Sequence, residues 1–500
     1  MPPRLFAQDG MKKRTFIIHG PNNFTYHFNQ TMKGGRAYAR CYSYYKRHCT
    51  AAISFHLETG DCKETGHHNH PPHMFLEQER LLRHTLLQRS RNKADRTHLQ
   101  DIYNEEVLRM RTPDAAIANL PFVKIRRSME RARREGWPEL PRSLSELANL
   151  LVDDETKFLS QSCDEVDNIF AGVTGNTRLN TRCVLLFSQR QRRYLNSGRV
   201  RRVFSDSTFI APVRSGVAQI LNLVTLRRVR SHPHIIPLGS ILMQSKRTDC
   251  YVAALSAVQM MCPNFRPTEV ICDFEQAEQA GWAAVYPNAE RHGCFFHHTK
   301  DVSEKAKELG LRPLVRHNNV ADSIVRSLCA VPLLRRENIV DGVLSVVERA
   351  QQNGLNQLAP LFDYYNRTWL IPSRLRVLSV HGCQFRTSNA CESYNASLYR
   401  QAKRDKPNIF QLLDACVRLE YICKNDHTIL NSGNNASVKR RHSALANDQI
   451  IQGLTEDLEE GEIDVGTFLR RASRRVQGVY DLILHPNQAL QDILQAEDDH

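Results

Sequence analysis

No apolar run in the chain approaches the ~18 residues that a membrane-spanning helix requires, which excludes an integral membrane protein built on helices. The first residues, MPPRLFAQDGMKKRTF, put charges on both sides of a very short apolar patch and lack a signal-peptide core, so secretion is not expected. There is no internal repeat, no low-complexity tract and no coiled-coil heptad run, which removes repeat arrays and long rods from consideration. Cysteine is spread thinly: 14 in 500 residues lack the density of a disulfide scaffold. In a reducing compartment the clustered ones read better as metal ligands. What remains is an ordinary globular composition, 41% hydrophobic and 24% charged, long enough for two to four units. Lys and Arg outnumber Asp and Glu by 68 to 53, and residues 1–50 alone carry +8 of the net +15. The partner is expected to be polyanionic, with nucleic acid the default, although charge alone does not separate it from anionic lipid or acidic proteins.

Along the chain, residues 1–75 read as a small β-rich unit. Short aromatic and β-branched stretches (Thr15 to Ile18, Phe24 to Phe28, Tyr38 to Tyr45, Ala51 to Leu57) alternate with glycine turns. Residues 76–198 read as a helical linker. It contains a basic face, Lys124, Arg126, Arg127, Arg131 and Arg134, that either follows a phosphate backbone or is a solvated helix surface. After Arg199 three hairpin-like strands precede strands alternating with helices, the pattern of an α/β layer on a mixed sheet, with a further strand from Arg291 to His297 and a helix from Asp301. A mostly helical stretch, about 304–385, leads to one more helix starting near Ser388. The tail, 426–500, is polar and partly disordered by composition; Lys439 to His442 is a basic run that reads as a nuclear import signal or as plain solvated surface.

A unit of about 70 residues rarely folds without a staple. Cys41, Cys49, His68 and His70 supply two thiolates and two imidazoles, a closed tetrahedral set for structural zinc, with Cys62, His67 and His73 as rivals for the same roles. Phe16, Phe24, Tyr26 and Tyr38, followed by RCYSYYKRHCTAAI and HHNHPP, resemble the FLYWCH-type zinc finger and its relatives at the front of Mutator-like (MULE) transposases. Tyr38 stands close to the position where that family has a tryptophan. The resemblance places the zinc ligands at Cys41, Cys49, His68 and His70 and implies binding of DNA or protein; the +8 around them favours DNA.

Three carboxylates stand out farther on. Asp206 follows a β-like run in RRVFSDSTF, Asp273 ends another in EVICDFEQA, and Glu392 lies in the early turns of the last helix. Singly, an Asp after a strand is most often a turn former or a cap. Together the three offer the bare oxygen ligands that Mg²⁺ or Mn²⁺ prefers, in a set able to hold two ions for in-line displacement at phosphorus. The segments SDSTF, LGSILMQSKRTDCYVAAL, ICDFEQAEQAGWAAVYPNAERHGCFFHHTK and TSNACESYNASLYR resemble the MULE transposase blocks. That resemblance implies a DDE triad of Asp206, Asp273 and Glu392 on an RNase H-like fold. Ser207 replaces the glycine often found after the first acid. Cys294 and His297 match the family's Cys-x-x-His, either sharing a metal or, as favoured here, holding a catalytic loop in position; Trp369 matches an insertion tryptophan that either stacks on a displaced base or is core.

The expected fold class is therefore α/β: an RNase H-like mixed-sheet core in 199–425, interrupted by a helical insertion, behind a zinc finger and a helical linker. The expected activity is transposition by a nuclear, zinc-containing, Mg²⁺- or Mn²⁺-dependent enzyme whose partners are double-stranded DNA, element ends and target, and a second copy of itself in a homodimer, without a membrane partner. The alternative is a domesticated DNA-binding regulator that retains the fold without the chemistry.

Overall fold

Inward and outward side chains alternate along β4 (Arg36–Cys41), burying Ala37, Ala39 and Cys41 while Arg36, Tyr38 and Arg40 face outward. The same logic organises an antiparallel meander, in consecutive order, of β1 (Phe6–Asp9), β2 (Phe16–His19), β3 (Thr25–Thr31), β4, β5 (Ala52–His56) and β6 (Cys62–Thr65). The computed structural model describes residues 6–9, 16–20, 23–72, 75–93, 95, 97–135, 137–164, 166–208, 215–229, 232–402, 407–434 and 442–486. Its chain divides into two units, Met1–Pro138 and Glu139–His500. In the first, β4 stops at Cys41 instead of running on to Tyr45, because a turn at Tyr42 and Ser43 enters the short helix α1 (Tyr44–Arg47). Four helices follow: α2 (Leu76–Arg91), α3 (Leu99–Arg109), α4 (Asp114–Asn119) and α5 (Phe122–Glu135). They close over Leu82, Leu86, Ile102, Tyr103, Leu120, Ile125 and Met129.

The second unit opens with α6 (Leu144–Val152), β7 (Phe170–Thr174), β8 (Cys183–Leu186) and α7 (Gln189–Leu195). The strand pair corrects the helical reading of this stretch. Cys183 to Phe187 is a continuous apolar run buried throughout, and such a run does not reveal its period in sequence. Then come β9 (Arg202–Thr208), β10 (Gln219–Val229), β11 (His232–Met243), α8 (Thr248–Met261), β12 (Glu269–Cys272), α9 (Gln276–Val285), β13 (Glu290–Gly293) and α10 (Phe295–Glu308). The seven strands lie in the order β13-β12-β9-β10-β11-β8-β7. β12 is parallel to both its neighbours and every other pair is antiparallel. Opposite Leu223 and Val224 the register shifts, and Gly239 sits there with φ of +150° against the Phe187 ring, where any side chain would clash.

One face of this sheet carries Val203, Leu221, Leu223 and Val270 against Tyr251, Leu255 and Val258 of α8 and Trp282 of α9. The other meets α16 (Asn389–Ala402) and α17 (Ile409–Asn431), reached after a helical layer of α11 (Arg312–His317), α12 (Asn319–Ala330), α13 (Ile339–Gln352), α14 (Ala359–Trp369) and α15 (Pro372–Leu378). The polar tail reading is corrected here too: α18 (His442–Glu459), α19 (Val465–Ala472) and α20 (Val479–Leu484) bury Phe468, Leu469, Tyr480 and Leu484 in one core with Leu328, Ile339 and Trp369. The basic run Lys439 to Arg441 and the acidic end Glu497 to Asp499 lie outside the described residues. Among those described, no helix is long and apolar enough to cross a membrane.

Candidate functional site

Strand alternation aims Ser205 and Asp206 at opposite faces. Ser205 Oγ donates to Glu278 of α9 at 2.5 Å and accepts from Trp282 Nε1 at 3.2 Å, while Asp206, 6% exposed, faces α16. β9 and β12 run parallel with Phe204 opposite Ile271, so two residues farther along Asp273 comes level with Asp206. Asp273 follows the last residue of β12, where its Oδ1 accepts from the Phe274 amide at 2.6 Å. Glu392 lies in the first turn of α16. His297, in the first turn of α10, joins these acids: its Nδ1 is 3.5 Å from Asp273 Oδ1 and its Nε2 3.3 Å from Glu392 Oε1. Asp206, His297 and Glu392 offer ligand atoms that all lie within 4.8 Å of one another.

The expected strand at Arg291 to His297 therefore ends early. β13 stops at Gly293, whose Cβ would meet the Phe274 ring at 2.1 Å, and α10 begins at Phe295, turning His297 toward the acids. Cys294 caps that turn and works elsewhere: its Sγ accepts from both the amide and the hydroxyl of Ser388, at 3.2 Å each. Of the two residues of the Cys-x-x-His, Cys294 tethers the start of α16 and also contacts His297, which in turn touches the acids. Ser388, expected at the start of this helix, donates its hydroxyl to the tether and accepts the Cys391 and Glu392 amides on its carbonyl at 2.7 and 3.1 Å.

Sequence reasoning missed a third contributor. Asn395 Nδ2 donates to Asp206 Oδ2 at 2.6 Å, Asn222 Nδ2 donates to Asn395 Oδ1 at 2.7 Å, and Ser240 Oγ donates to Asn222 Oδ1 at 2.6 Å. Only the motif placing Asn395 three residues after Glu392, one turn along the same helix, hinted at it. Burial, reinforced by the nearby Glu392 charge, pushes the Asp206 carboxyl up to about 7. Glu392 is held below its ordinary value, chiefly by its hydrogen bond to His297. For His297 burial opposes the charge, but contact with Cys294, the bond to Glu392 and the Asp273 field outweigh it and hold the imidazole at about 11. Without a metal the imidazolium offsets the crowded acids; a divalent cation entering this cluster would take over that role and displace the His297 proton.

The N-terminal donors also meet. Cys41 Sγ is 3.1 Å from His70 Nε2, Cys49 Sγ is 3.5 Å from His68 Nδ1, and all four ligand atoms lie within 4.8 Å of one another. Each imidazole uses its other nitrogen outside the cluster, His70 Nδ1 with the Pro71 carbonyl at 2.8 Å and His68 Nε2 with the Tyr26 hydroxyl at 3.0 Å. Phe24 stacks on His68 at 3.6 Å. This is the support that orients histidines on a metal, and the S₂N₂ set fits zinc. Of the rivals, Cys62 and His67 stand outside the cluster and His73 is outside the described residues.

On α5, Lys124, Arg127, Arg131 and Arg134 fall three, four and three residues apart on an exposed face opposite Ile125, Met129 and Ala132; Arg126 pairs with Glu130 at 2.9 Å. Of the two readings of Trp369, the structure has the core one: it is fully buried, edge-on to Phe274 at 4.8 Å and to His298 at 4.5 Å.

Residues 214–301 match the family described as the MULE transposase domain. The matched stretch includes Asp273, Cys294 and His297, while Asp206, Glu392 and the Cys/His cluster lie outside it. No curated protein matches the chain significantly.

Proposed function

We propose that the chain is a DNA transposase of the MULE type, cutting and joining phosphodiester bonds at Asp206, Asp273 and Glu392. The observation that carries this reading is the convergence of three acids, distant in sequence, around His297, on an antiparallel meander extended by two parallel strands as an RNase H-like core requires. The carboxylates fit Mg²⁺ or Mn²⁺, and the His297 nitrogen, once its proton is displaced by the ion, would suit Mn²⁺ better. When bound, such ions would polarise the phosphoryl group and activate the attacking oxygen, first of water and then of a DNA 3′-hydroxyl. The chain's own part is positioning: Asn395 orients Asp206, the Cys294–Ser388 tether sets the start of α16, and His297 balances the acids' charge until metal arrives.

In this reading the Cys41, Cys49, His68 and His70 cluster holds structural zinc, and the basic face of α5 contacts the phosphate backbone of double-stranded DNA in the nucleus. The deciding experiment is Mn²⁺- and Mg²⁺-dependent cleavage of supercoiled DNA bearing the native flanking repeats. Cleavage by the wild type that vanishes in Asp206→Ala, Asp273→Ala and Glu392→Ala is expected. Full activity in Asp273→Ala would sink the mechanism. DNA binding without cutting under every metal would transfer the assignment to a non-catalytic regulator.

A further inference from the structure

A second group of unlike donors lies on the sheet four residues back from the acids. Glu269 opens β12, His292 sits on β13, and Cys383 belongs to the segment 379–388 between α15 and α16, which has no strand or helix of its own. Glu269 and His292 share a face, because Glu269 pairs with Glu290 and Ile271 with His292 in the parallel register. The segment crosses that face with Phe385 edge-on to Phe204 and beneath the guanidinium groups of Arg202 and Arg228. One nitrogen, one sulfur and one oxygen thereby come within 4.8 Å of one another. Donors sharing a tetrahedral ion would be about 3.5 Å apart, a difference that small side-chain rotations cover.

Two of the three donors are oriented in the way metal ligands are, while burial keeps the Cys383 thiol protonated until an ion displaces its proton. His292, 6% exposed, directs Nδ1 to the Ser379 carbonyl at 2.8 Å, which fixes the tautomer with Nε2 free to accept. Glu269 receives Arg202 Nε on Oε2 at 2.6 Å, while its buried Oε1 meets no hydrogen-bond donor of good geometry among the described residues. A nucleophile–base–acid triad is a poorer account, since His292 Nδ1 bonds a carbonyl and not the carboxylate.

We propose that Glu269, His292 and Cys383 form a transition-metal site of the zinc type, separate from both the acid cluster and the N-terminal Cys/His cluster. A sulfur donor selects against Mg²⁺ and Ca²⁺, and one carboxylate plus one thiolate neutralise a divalent ion. Binding releases the Cys383 thiol proton to solvent and changes no oxidation state. The fourth position is open to water or to Glu290, whose Oε1 is 3.8 Å from His292 Nε2. Such an ion would pin the irregular segment to β12 and β13 whether or not the chain cuts DNA.

The test uses the full chain, stripped by chelator, reloaded with Zn²⁺ and desalted. Cys383→Ser and His292→Gln are each expected to hold one zinc fewer per chain than the wild type, and a Cys49→Ser, Cys383→Ser double variant one fewer than Cys49→Ser. Zinc content equal to the wild type in both single variants overturns the site. Should a variant misfold, the wild type decides: alkylation of Cys383, followed by peptide mass spectrometry, slows at least tenfold with Zn²⁺ while exposed Cys163 is unaffected. Equal Cys383 rates with and without Zn²⁺ overturn the proposal.

Discussion

Asn395 holds the amide through which α16 and the sheet fix Asp206. It is 5% exposed and Asn222 is fully buried, so removing Asn395 takes the acceptor from Asn222 Nδ2 and a donor from Asp206 Oδ2. Asn395→Ala is expected to slow Mn²⁺-dependent cleavage by about 10–100-fold and to raise the metal concentration needed, with DNA affinity unchanged. Single-turnover cleavage across a Mn²⁺ titration checks this, and a wild-type metal dependence contradicts it. The three acids were legible one at a time, from their motifs. Asn222 and Ser240 were not, because an asparagine or a serine in a strand acquires meaning only from what lies across it, here a helix more than 150 residues later.

At the scale of elements, the α2–α5 bundle is tied by ion pairs as well as by its core. Arg89 reaches Asp95, Glu105 and Glu106, and Arg109 reaches Glu106 at 2.6 Å. Burial opposes the Glu106 charge, but the hydrogen bonds from Arg109 and Arg89 outweigh it and hold the carboxyl below its ordinary 4.5. Since the folded pKa lies under the unfolded one, this stabilisation is complete above the ordinary value and is lost as pH falls through the folded value. Glu106→Gln should cost about 1–3 kcal/mol at pH 7 and less below pH ~4, flattening the acid limb of thermal stability followed by circular dichroism. An identical deficit at both pH values would refute the charge argument.

The N-terminal sheet makes a different element-scale prediction. If zinc sits on Cys41, Cys49, His68 and His70, its binding supplies about 10 kcal/mol or more toward folding of a unit this small. Chelation should then abolish amide-exchange protection in β3, β4 and β5 while β9 to β12 keep theirs. Protection that survives complete zinc removal would leave these four residues without a structural metal role. Here the ligand types were readable early, since cysteines and histidines cluster in an otherwise undersized unit. The resemblance also singled out Cys41, Cys49, His68 and His70 from the seven; what only the fold shows is how the turn at Tyr42 and the stacking of His68 on Phe24 bring them together.

Over the whole chain, the closing helices share a core with the helical layer. Phe468 and Tyr480 are fully buried among residues from α12 to α14, and Arg326 of α12 bonds Asp481 at 2.6 Å. Phe468→Ala is expected to cost about 3–5 kcal/mol, and deletion from residue 435 onward to yield aggregated chain, both measurable by thermal melting and light scattering. A truncated chain that stays monomeric with an unchanged melting temperature would show the tail dispensable. Sequence by itself determined what local periodicity and residue chemistry carry: the meander followed by alternating strands and helices, the acids, the Cys/His donors and the basic stripe on α5. The tertiary structure alone decided that the described part of the charged tail, 442–486, joins a core, that Trp369 is inside, that 170–186 is a strand pair, and which polar groups face Asp206. The physical reason is range. Period and composition act over a few residues, whereas burial and a 2.6 Å hydrogen bond between positions 189 apart depend on where the rest of the chain has gone.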